Sequence, residues 1–137
     1  MKYLYWFVAI TWELPQTILA GLIYVWLRIT NRISELGIVY TRPIYNLLIE
    51  TDGDLDWGVS LGRLTFLNTR VYQAIDVVHH EYGHSIQSLM LGPLYLIVVG
   101  LPSVTMNILT RLRILPFHSY YDRWPENWAD RLGSVDR

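Results

Sequence analysis

The chain has 137 residues, a formal net charge of −1, four histidines and no cysteine. That length supports one domain. The missing cysteines exclude disulfides and thiolate metal ligands, and the near-neutral charge excludes the basic footprint that nucleic acid requires. Hydrophobic residues make up 52% and charged residues only 17%, with six Trp and ten Tyr, a balance that leans towards a membrane and its interface.

Residues 3–29 are almost wholly apolar, with Glu13 and Gln16 as the strongly polar exceptions. The run exceeds the roughly 20 residues that span a bilayer, so it predicts a transmembrane helix or a membrane helix kinked at Pro15. Glu13 reads either as a functional intramembrane carboxylate or as the end of a first short helix. Arg28, Arg32 and Arg42 follow the run, against Lys2 before it. This bias predicts a cytoplasmic C-terminal flank and places the protein in, or tightly on, a membrane with its site facing the cytoplasm.

Residues 36–68 are rich in β-branched and aromatic side chains and predict two or three short strands. Asp52-Gly53 is a hairpin-turn signal, and GVSLGRLTFL is the most convincing strand segment. Asp52, Asp54 and Asp56 alternate like the start of a calcium loop, but the glycine comes one place late and Arg63 stands where the closing glutamate belongs. The segment is read as a solvated turn.

Residues 70–91 predict a helix ended by Gly92-Pro93. Val71, Ile75, Val78, Tyr82, Ile86 and Leu89 form one apolar stripe, while Tyr72, Asp76, His80, His84 and Ser88 recur on another face. Residues 92–115 form an apolar stretch broken by Gly92, Pro93, Gly100 and Pro102, read as a helical hairpin. Residues 124–133 predict a last helix beginning near Pro125. The fold class expected is therefore α+β and mainly helical: a membrane helix, a small sheet or hairpin, an active-site helix, a broken apolar hairpin and a C-terminal ligand helix, in one domain.

The chemistry lies in His80-Glu81-Tyr82-Gly83-His84, an H-E-x-x-H pattern. Residues four apart on a helix face the same way, so both imidazoles can grip one ion. Glu81 sits at the edge of that face, where it can take a proton from a water whose pKa zinc has lowered. A catalytic zinc needs a third protein ligand. His118, Asp122, Glu126, Asp130 and Asp136 lie downstream. Glu126 and Asp130 are themselves four apart, so one helix face would offer Glu126 to the metal and Asp130 to the far ring nitrogen of a ligand histidine.

H-E-x-x-H followed by E-x-x-x-D on a second helix resembles the gluzincin, thermolysin-like zinc metallopeptidases. The metzincin extension is absent. The resemblance implies His80, His84 and Glu126 as zinc ligands, Glu81 as general base and Asp130 as support for a ligand histidine. HEYGHSIQS with GPLYLIVVGLPS is also similar to short bacterial membrane-associated proteins. With Glu126 at the metal, the chain would cross a bilayer an even number of times between His84 and Glu126.

Tyr120, Tyr121 and His118 are candidate donors to the oxyanion of a tetrahedral intermediate. The expected function is hydrolysis of a peptide or protein substrate with one catalytic Zn2+, beside a lipid membrane, with protein partners and oligomeric state open. Two alternatives stand beside it. One is a non-proteolytic structural or regulatory zinc protein whose site His118 or Asp76 closes. The other is a zinc hydrolase of a non-peptide bond.

Overall fold

A computed structural model describes residues 2–41, 44–53, 56–71, 74–117 and 120–136. The elements are α1 (Lys2–Trp12), α2 (Leu14–Ile29), β1 (Ile33–Thr41), β2 (Ile44–Thr51), β3 (Gly58–Leu61), β4 (Leu64–Asn68), α3 (Ile75–Leu91), α4 (Leu101–Arg111) and α5 (Glu126–Gly133). Gly92–Leu94 forms a 3-10 turn and Leu96–Gly100 a π-helical turn between α3 and α4.

The expected membrane segment is two helices. No helix among the described residues is long and apolar enough to cross a membrane. At 1.5 Å per residue the 16 residues of α2 reach about 24 Å, short of a hydrocarbon core of about 30 Å. The break falls at Glu13. Its carboxylate is wholly buried against protein, 2.8 Å from the Arg63 guanidinium and accepting a 2.6 Å bond from the Ser88 hydroxyl. Pro15 does not kink a continuous helix. It sits in the first turn of α2, where its missing N–H costs no bond. The transmembrane helix is therefore corrected, and with it the membrane location and cytoplasmic facing drawn from a span; the even-crossing constraint between His84 and Glu126 likewise has no spanning helix to act on among the described residues.

The sheet has strand order β1-β2-β4-β3. β1 and β2 pair antiparallel, β2 and β4 parallel, and β3 and β4 antiparallel. Four strands replace the expected two or three. GVSLGRLTFL folds back on itself as the β3–β4 hairpin, with Gly62 at φ +64° in its two-residue turn. Asp52-Gly53 turns no hairpin, because β2 pairs with β4 rather than with β3. Asp52 there donates its N–H to the Arg32 carbonyl, and Gly53 gives its carbonyl to the Asn68 amide. Asp54 lies outside the described residues.

Ala20 and Leu27 of α2, Ile49, Leu61 and Phe66 of the sheet, and Tyr95 and Val99 after α3 pack as the apolar core. α3 contributes differently. Its buried residues are His80, Glu81, Gly83, His84, Ser85, Gln87 and Ser88. The expected apolar stripe stays half-buried or, at Ile75, 67% exposed. α2 and α4 show the opposite bias: Leu22, Val25, Trp26 and Ile29 on α2, and Leu101, Val104 and Ile108 on α4, are all exposed.

Candidate metal centre

Two helices build the site. α3 carries His80, Glu81 and His84, and α5 carries Glu126 and Asp130. They approach closely because both have glycine at the contact. A Cβ on Gly83 would lie 1.9 Å from the Ala129 carbonyl oxygen, and one on Gly133 would lie 2.0 Å from that of His79. Glycine inside a helix costs about 1 kcal/mol relative to alanine, and here the close approach offsets it.

This contact brings His80, His84 and Glu126 together. One donor atom from each lies within 4.8 Å of the other two, and all three residues are buried. Glu126 Oε2 is 3.0 Å from His80 Nε2 and 3.2 Å from His84 Nε2. Each ring is held from behind: His80 Nδ1 is 2.6 Å from Asp130 Oδ1, and His84 Nδ1 is 2.8 Å from Gln87 Oε1. Both acceptors take an Nδ1–H, so each Nε2 faces Glu126, and it is Nε2 that would offer its lone pair to a metal once its proton is displaced. Glu126 Oε1 is buried without a hydrogen-bond partner, a costly state that a bound cation relieves. Two imidazole nitrogens and a carboxylate suit zinc. The residues present fit a divalent ion of that kind.

Charge follows from this geometry. Burial opposes a charge on His84, but the Glu126 carboxylate, with Glu81 and Gln87 adding less, raises the imidazole to about 9. Burial likewise opposes the Glu126 carboxylate, yet hydrogen bonds from His80 and His84 hold it well below the usual carboxylate range. A metal taking these ligands displaces the proton that joins them.

Glu81 is buried on the same helix and is held from the sheet. Ser60 on β3 donates to Glu81 Oε2 at 2.9 Å. The Ser60 and Thr65 hydroxyls are 2.9 Å apart. Since Ser60 spends its proton on the carboxylate, Thr65 donates to Ser60. Tyr95 donates to the Ser60 carbonyl at 3.0 Å. The Glu81 carboxylate is thus aimed by a strand, independently of the metal ligands.

Tyr120 and Tyr121 line the cleft over His80 and Glu81. The Tyr121 ring meets His80 edge-on, with centroids 5.2 Å apart. Burial, and then the Glu126 charge, push the Tyr120 hydroxyl up, so it stays a protonated donor. His118 lies outside the described residues. Asp76 and Asp122 are exposed and do not belong to the buried group. Ser60 and Gln87 were not legible as site residues: neither belongs to a motif. Gly83 did carry a signal, since a glycine in mid-helix implies a close neighbour.

Comparison with protein-family models, with curated proteins and with solved structures finds no match to this chain.

Proposed function

We propose that the protein is a zinc-dependent metallopeptidase. The observation that carries this reading is the buried His80–His84–Glu126 group with a separately held carboxylate, Glu81, beside it. A closed structural site needs no base and is completed by a fourth protein ligand. Among the described residues three ligands converge, which favours a site that leaves room for substrate.

His80, His84 and Glu126 would hold the ion. When bound, zinc supplies Lewis acidity, which polarises a carbonyl and acidifies water. Glu81 takes the proton of the attacking water and returns it to the leaving amine. Ser60 keeps the Glu81 carboxylate turned towards the cleft. Tyr120 offers its hydroxyl to the developing oxyanion. β3 is an edge strand of the sheet, the one beside Glu81, and an extended peptide backbone is the ligand an edge strand can pair with. That favours a peptide over another hydrolysable bond.

The test joins metal content with hydrolysis of an unfolded protein substrate. Wild type should bind about one zinc per chain. Glu81→Gln should keep the zinc and lose activity by about 10²- to 10⁴-fold. Glu126→Ala should lose the zinc. Full activity in zinc-loaded Glu81→Gln would end the peptidase reading, and undiminished zinc in Glu126→Ala would remove Glu126 from the ligand set.

A further inference from the structure

Two compartments meet over the site. The first, of about 550 Å³, is mixed: Asp56, Arg70 and Arg111 bring both signs of charge, and Trp57, Val71 and Phe117 line it as well. The second, of about 430 Å³, is walled by Ile23 of α2, Val59 and Leu61 of β3, and Leu96, Leu101 and Val104 around the start of α4. Glu81 is its carboxylate, and the imidazoles of His80 and His84 complete that end. Gly58, His80, Glu81 and Tyr120 line both compartments. The groups assigned to the chemistry are therefore the boundary between a chamber of mixed polarity, which carries the charges, and an apolar one.

The boundary is narrow at Gly58. A Cβ there would lie 2.7 Å from Glu81 Oε1 and 2.7 Å from Leu67 Cδ2. A side chain at residue 58 has no room beside the carboxylate. A ligand lying across Glu81 can reach one chamber with each flank.

Resting on the peptidase reading, we propose that the substrate is a peptide segment with contrasting flanks. A large apolar side chain on one side of the cleaved bond enters the chamber between α2, β3 and α4. A polar or charged residue on the other side meets Arg70, Arg111 and Asp56. The apolar chamber's volume exceeds that of one side chain and lies at the low end of ligand pockets. Burying a Leu-sized group there supplies binding that a Ser or Asp cannot match. Leu101 and Val104 are more than half exposed, so the chamber is open to an incoming segment. Both positions are exposed, so a carboxylate placed there keeps its contact with water.

The experiment uses blocked hexapeptides that differ only in Leu, Ser or Asp placed directly before or after a central Gly. Their affinity is measured by calorimetry on zinc-loaded Glu81→Gln protein, which does not turn them over. Leu should bind about tenfold more tightly than Ser or Asp at one of the two positions. In the Leu101→Asp/Val104→Asp background, with zinc content and melting temperature as checks on the fold, that ratio should fall to about one. Equal binding at both positions, or a preference unchanged by the double substitution, overturns the proposal. Cleavage of the same peptides by wild type is scored separately. A Leu preference in binding with no peptide cut would sink the peptidase reading and leave the chamber assignment standing. Cleavage without the preference would do the reverse.

Discussion

α3 and α2 are inverted relative to each other. α3 turns His80, Glu81, His84, Ser85, Gln87 and Ser88 inward and leaves Ile75 and Met90 exposed. α2 turns Ala20 and Leu27 inward but leaves Leu22, Val25, Trp26 and Ile29 in the open. A polar face enters the interior only if its groups find partners there. Each of those on α3 does: His80 with Asp130, His84 with Gln87, Glu81 with Ser60, Ser85 with Asn46, Ser88 with Glu13. The lesson is that in a small domain built around a charged site, the most buried helix face is the one with the most partners, and hydropathy does not identify it.

Adding one methyl group to each helix breaks the comparison most directly. Gly83→Ala forces a Cβ against the Ala129 carbonyl. It should cost about 4–5 kcal/mol, the exceptional end for a point substitution, and abolish zinc binding. Denaturant unfolding and metal analysis check both. Near-normal stability would mean that α5 does not rest on α3 as closely as described. Next comes the buried pair behind the site. Arg63→Met leaves the Glu13 carboxylate without its cation and should cost about 3 kcal/mol. The double variant Glu13→Gln/Arg63→Met should recover a good part of that loss. No recovery would show that Arg63 acts through packing instead.

The metal-free protein should then show a pH signature. His84 is raised to about 9, above its ordinary value of about 6.5. Its stabilising pairing with Glu126 is fully present below about pH 6.5 and is lost as pH rises through about 9. A melting temperature followed from pH 6 to 10 should fall with metal absent and flatten with zinc bound, because zinc already holds the imidazole neutral. Identical profiles with and without zinc would count against His84 as a ligand. The smallest effect is on α2. A Cβ added at Gly21 would meet no atom within 4 Å, so Gly21→Ala should stabilise by about 0.5–1 kcal/mol. A loss instead would mean that α2 is packed more tightly than its exposed face suggests.

The site was more legible in the sequence than the fold around it. His80, His84, Glu126 and Asp130 could be singled out because helical spacing of four is a local rule, and each pair obeys it within one helix. Their meeting across α3 and α5 could be expected only from the chemistry of a third ligand. Glu13 was harder. Its partners Arg63 and Ser88 lie 50 and 75 residues away, a separation over which periodicity carries no information. Without them, residues 3–29 look like one span. Apolar composition records that side chains favour leaving water and is silent on where a polar interruption is received. Ser60 was hidden for a related reason: a serine in a strand has no signature until the sheet order sets β3 beside α3.

Gln87 ties the two halves of the site with a single side chain. Its Oε1 meets His84 Nδ1, and its Nε2 donates to the Pro125 carbonyl at the threshold of α5. The orientation of a ring on one helix is thereby referred to the backbone that launches the other. The consequence concerns the order of assembly. Until the chain between His84 and Glu126 has closed, an arriving ion meets two imidazoles, one of them unsteadied. Loop closure and ring alignment are completed in the same docking event. Capture of the metal should therefore follow the arrival of α5 rather than nucleate it, so that the last helix to dock acts as the latch on the ion.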